Sequence, residues 1–124
     1  MKLSSLFPRN SLLTWICAFS SLALLLTALT LAIHVRLGLG HWPEHMVEDY
    51  DTTAFEVHEW LLFCVAHFAL FMAIPLWPLL LLFKRFRAGV RTHLVQSIVY
   101  TLGWLLIYLF VRFDPTSFSR WYLD

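Results

Sequence analysis

Between Asn10 and Val35 the chain reads NSLLTWICAFSSLALLLTALTLAIHV, without one Asp, Glu, Lys or Arg. A hydrocarbon layer about 30 Å thick is crossed by about 20 helical residues, so this run has length to spare. Backbone in lipid must satisfy its own hydrogen bonds, and a continuous apolar run does so as a helix; barrel strands would be shorter and alternate. Two further charge-free runs, Trp60 to Phe83 and Thr92 to Val111, obey the same logic. The expected fold is an all-α integral membrane three-helix bundle, one domain over residues 1–124. Its helices cover about 11–36, 57–83 and 92–112, with an outer loop over about 37–55.

Composition agrees with this reading. The chain is 60% hydrophobic and 14% charged, where a soluble domain has about 25% charged residues. A water-soluble fold of this length has nowhere to hide so much apolar surface.

The net charge of +1 averages over two faces. Lys2 and Arg9 precede the first helix, and Lys84, Arg85, Arg87 and Arg91 fill the short link between the second and third. Basic residues in short flanks stay cytoplasmic. The N-terminus is therefore expected in the cytoplasm, with Glu44, Glu48, Asp49, Asp51, Glu56, Glu59, Asp114, Asp124 and the C-terminus outside. The first apolar run exceeds the h-region of a cleaved signal, about 7 to 15 residues, and is read as a retained helix. Cys17 and Cys64 fall in different leaflets and are not expected to pair. Trp42, Tyr50, Trp60, Trp121 and Tyr122 mark the outer headgroup layer as anchors. Pro75 and Pro78 predict a kink in the inner half of the second helix.

Several constellations bear on chemistry. His41, His45, Glu48 and Asp49 in the outer loop offer donors for a divalent metal, although an acidic solvated loop explains the same letters. His34 and His58 sit at similar depth near the outer ends of antiparallel helices, a placement that would suit two axial haem ligands. Three helices are thin cover for a macrocycle, however, and no cofactor is required by the sequence. Glu59, Phe63 and His67 recur at steps of four along one face. This sets His67 near mid-bilayer, where an ionisable group needs protein, water or a cofactor beside it. Glu59 and His67 are the candidates for a proton path; otherwise His67 is expected to hydrogen-bond a neighbouring helix through a residue such as Tyr100 or Tyr108. Lys84, Arg85, Arg87 and Arg91 suit anionic lipid headgroups. No Gly-x-Ser-x-Gly, no aqueous Cys–His pair and no phosphate loop is present, so no catalytic residues are assigned and an enzyme is the less expected class.

The run Arg36-Leu37-Gly38-Leu39-Gly40-His41-Trp42-Pro43 resembles one found after the first helix in small uncharacterised bacterial inner-membrane proteins, broadly Leu-Gly-x-Trp-Pro. The resemblance implies a bacterial cytoplasmic (inner) membrane and an outer Trp-Pro turn, and it brings no functional residues with it. The expected role is a non-enzymatic accessory or structural subunit of a larger membrane assembly. Its partners would be lipid and other transmembrane subunits rather than nucleic acid. The alternative is a haem- or metal-handling protein using the outer histidines. Gln96, Ser97, Tyr100, Thr101, Gly103 and Tyr108 would serve helix packing, either within the chain or toward a partner.

Overall fold

The computed structural model describes residues 12–43, 52–83, 89–114 and 116–123. Among them every regular element is helical: α1 (Leu12–Leu39), α2 (Thr53–His67), a π-helical turn (Phe68–Met72), α3 (Ala73–Leu82), α4 (Val90–Phe113) and α5 (Phe118–Leu123). Three continuous stretches are long and apolar enough to cross a membrane: Leu12–Leu39, Thr53–Leu80 and Val90–Phe113. The first two, with 28 residues each, rise about 42 Å, so their ends emerge beyond the hydrocarbon.

The helix ends differ from those expected. Arg36 and Gly38 do not stop α1; it runs to Leu39 and ends where Gly40 adopts φ 82°, its N–H bonded to the Arg36 carbonyl at 2.9 Å. A left-handed residue there favours glycine. Beyond the turn, the Arg36 guanidinium lies 4.7 Å from the ring centre of Trp42. The second span begins earlier than expected, because extended Thr52 caps it, its hydroxyl accepting the Phe55 N–H at 3.1 Å. Counting apolar residues alone overlooks such a cap.

The second span deforms one turn ahead of its prolines. Over Phe68–Met72 the helix widens to π, and the Ala73 N–H reaches back to the Phe68 carbonyl. Pro75 has no N–H for the carbonyl four residues before it, and its ring crowds that turn, so the ladder loosens upstream. Pro78 lies inside α3.

Helix α1 is the hub. It packs along α4, α2 and α3, and Tyr100 of the third span reaches across to Ala69 and Trp77 of the second. Small residues permit the close contacts: Ala18 and Ser21 on α1, Ala69 and Ala73 on the second span, and Gly103 on α4 are all buried. In lipid, where apolar surface drives little association, such close approach and hydrogen bonds across helices hold spans together. Gln96 Nε2 donates to Thr14 Oγ1 at 2.8 Å, and Ser21 Oγ donates to the Tyr100 carbonyl at 3.0 Å. Outward, the surface is Leu, Ile, Phe and Val, including Leu26, Ile33, Phe71, Ile74, Ile98 and Leu105. Water would not tolerate this continuous apolar coat, and a bilayer requires it.

Helix α5 was not expected. Phe118, only 2% exposed, enters the core cluster that contains Leu24, Leu31 and Leu62. Trp121 meets Phe55 edge-on, with ring centres 6.2 Å apart. Trp121 and Tyr122 thus pack against the second span, a role the anchor reading did not include.

Candidate functional site

At the end of the protein where α1 stops and α2 starts, His34 and His58 touch. Their Nδ1 atoms are 3.3 Å apart and their rings stack with centres separated by 5.6 Å. The His58 Nε2 lies 3.1 Å from Thr30 Oγ1, and Thr30 Oγ1 lies 2.9 Å from the Thr27 carbonyl. Because a carbonyl only accepts, Thr30 spends its proton on Thr27 and must accept from His58 Nε2–H. With its proton on Nε2, His58 offers Nδ1 as the acceptor of a hydrogen bond from His34 Nδ1–H. The result is a directional chain from His34 through His58 and Thr30 to the Thr27 backbone.

This arrangement does not fit haem. Two axial imidazoles must hold their ligating nitrogens on opposite faces of a porphyrin, whereas these two turn Nδ1 to Nδ1 at 3.3 Å, too close to admit an iron between them. No step through that group follows from the geometry.

A second polar cluster fastens α5. Asp114 caps the turn after α4: Oδ1 accepts the Thr116 N–H at 2.9 Å and the Thr116 hydroxyl, and Oδ2 accepts the Ser119 N–H at 2.6 Å. Partial burial alone would raise the Asp114 pKa, but the hydrogen bonds from Thr116 and Ser119 outweigh it and hold the carboxyl below its ordinary value. Ser117 adopts φ 60°, the left-handed conformation that turns the chain back. At the tip of α5 the Tyr122 phenol donates to Glu59, and its pKa is raised, first by burial and then by the Glu59 charge and hydrogen bond.

Glu59 and His67 do not meet. Glu59 engages Tyr122, whereas His67 stands two turns along the helix, its Nδ1 3.0 Å from the Phe63 carbonyl. The ring of Phe63, whose centre is 3.8 Å from that of His67, occupies the space on the Glu59 side. His67 also bonds neither tyrosine named for it from the sequence. Tyr100 donates to the Ala69 carbonyl at 2.9 Å, and Tyr108 is 61% exposed. The reason is rotational: His67 points away from α1 and α4, on the exposed side with Phe63 and Phe71.

Of the loop donors, His41 is described and places its Nδ1 2.9 Å from the Trp42 carbonyl. His45, Glu48 and Asp49 lie outside the described residues, as do Lys84, Arg85 and Arg87; Arg91 stands in the first turn of α4. Among the described residues, no three His, Cys, Asp or Glu side chains come together as a metal site. Cys17 is buried and Cys64 exposed, both as free thiols.

The polar residues of α4 divide into two groups. Gln96, Tyr100 and Gly103 turn inward, with His93 Nδ1 3.0 Å from Gln96 Oε1 extending the Gln96–Thr14 contact. Ser97, Thr101 and Tyr108 turn outward; Ser97 bonds its own helix at the His93 carbonyl. Thr14, Thr30, Asp114 and Phe118 were missed from sequence. The Asp-Pro-Thr-Ser run from Asp114 to Ser117 carries the letters of a capped turn and would have signalled α5. No protein family, curated protein or solved structure matches this chain.

Proposed function

We propose that the chain is a non-enzymatic subunit of a bacterial cytoplasmic membrane assembly, crossing the bilayer three times as a helix bundle with its N-terminus inside and its C-terminus outside. The basic residues flanking the first span and linking the second to the third support that orientation. Lys84, Arg85, Arg87 and Arg91 then face the inner leaflet, where anionic headgroups attract them.

The observation that carries the subunit reading is the outward group on α4. Only Thr92, Gln96 and Gly103 of this 24-residue helix are buried, and the exposed side includes the hydroxyls of Thr101 and Tyr108, which have no hydrogen-bond partner among the described residues. Polar groups facing lipid are costly, and helices that carry them associate with other helices. Purification in mild detergent followed by native mass spectrometry tests the reading. Stoichiometric recovery of other membrane chains is expected; a complex containing no chain but this one would overturn it.

A further inference from the structure

His67 raises a sharper question about the outward surface. Its Nδ1 faces the Phe63 carbonyl at 3.0 Å, and since the carbonyl is the acceptor, Nδ1 carries the proton. The neutral ring therefore turns a bare Nε2 lone pair outward, well inside the Thr53–Leu80 span, and this atom has no partner among the described residues.

The matching donor lies on the same chain. Tyr108 presents a phenol that is unpartnered among the described residues and sits in a ring 61% exposed. Their chain neighbours Ala66 and Ile107 line one groove of about 260 Å³, together with Leu25 of α1 and Phe118 and Tyr122 of α5, which sets the two residues at similar depth. They also flank that groove on the same side. Phe63 and Val111 line it, and His67 and Tyr108 stand four and three residues from them, within one helical face. An acceptor on one lip and a donor on the other thus look outward together from within the membrane.

Resting on the subunit reading, we infer that this groove face is a symmetric contact between two copies of the chain, with His67 of each copy accepting a hydrogen bond from Tyr108 of the other. A twofold axis along the membrane normal keeps depth constant and exchanges the two lips, so every such contact occurs twice. A lipid tail fills a groove but offers nothing to a lone pair or a phenol. A second copy supplies both missing partners and brings aliphatic surface to the groove.

The test uses the full chain with Cys17→Ser and Cys64→Ser, in two differently tagged copies, one carrying His67→Cys and the other Tyr108→Cys. A bifunctional maleimide that spans the combined length of a histidine and a tyrosine side chain, a gap beyond disulfide reach, is expected in native vesicles to join the two tags. A control copy with Leu94→Cys, also on the exposed side of α4 but nearer its start, should not crosslink to His67→Cys. Failure of the 67–108 crosslink, or its replacement by a link to a different protein, overturns the inference. A second measurement avoids altering the histidine: Tyr108→Phe should weaken self-association roughly 5- to 10-fold, the loss of two interhelical bonds. Unchanged association would overturn the hydrogen-bonded contact. The two readings fail separately. Foreign subunits without a self-crosslink leave the subunit reading standing, and a self-crosslink without foreign subunits leaves the symmetric contact standing.

Discussion

Gly103 of α4 lies against Ser21 of α1 so closely that a methyl group at position 103 would stand 2.7 Å from the Ser21 Cβ and 3.0 Å from the Leu22 nitrogen. These atoms belong to the stem and backbone of α1 and have little freedom to yield. Gly103→Ala is therefore expected to push the helices apart and cost about 1–3 kcal/mol, as overpacking does. Gly103→Leu should cost more and break the Ser21–Tyr100 bond. Thermal unfolding in detergent, followed by circular dichroism, measures this; a stability equal to wild type would contradict the contact.

Gln96 is fully buried and makes contacts at both ends of its amide. Gln96→Leu retains the volume but removes the bonds to Thr14 and His93. A loss of about 1 kcal/mol is expected, within the range of interhelical bonds in membranes. The same unfolding assay reports it, and a double-mutant cycle with Thr14→Val should show coupling between the two positions.

The tautomers at the His34–His58 contact are fixed by the Thr27 carbonyl. Nitrogen chemical shifts of the labelled histidines should show the His58 proton on Nε2 and the His34 proton on Nδ1. Thr30→Val removes the acceptor for His58 and should release that preference. If the His58 proton resides on Nδ1 in the wild-type protein, the chain runs the other way and the assignment is wrong.

Asp114 makes the docking of α5 sensitive to acid. Its folded pKa is lowered, so the stabilisation is fully present above the ordinary carboxyl range near about pH 4. It is lost as pH falls through the depressed folded value. Hydrogen exchange at the Thr116 and Ser119 amides, which the carboxylate holds, should accelerate across that window. In Asp114→Asn exchange should be fast at neutral pH, with no acid transition.

Orientation has its own check. Reporter fusions after Asp124 are expected to be active only when translocated, and fusions before Met1 only in the cytoplasm. Moving Lys84, Arg85 and Arg87 to glutamine should weaken this preference.

The three spans were legible because lipid imposes a requirement that charge-free runs express directly. Helix ends were less so. The Gly38-Leu39-Gly40 run offers two stop signals, and only the left-handed backbone at Gly40 distinguishes them. Depth could be counted, which is why His34 and His58 were named together; rotation about the helix axis could not be, which is why His67 was assigned to tyrosines it does not face. Six residues of α5 are too few for periodicity to show, and its hold on the core depends on one aromatic ring, Phe118, whose destination no local pattern reveals.

The central place of α1 has a consequence for biogenesis. It precedes both of its main partners in the chain, and a nascent polypeptide emerges in chain order. The hub is therefore in the membrane before either partner arrives, and each later span can dock on a surface already waiting for it. The second and third spans need not find one another first. Only the last short helix has to wait for both.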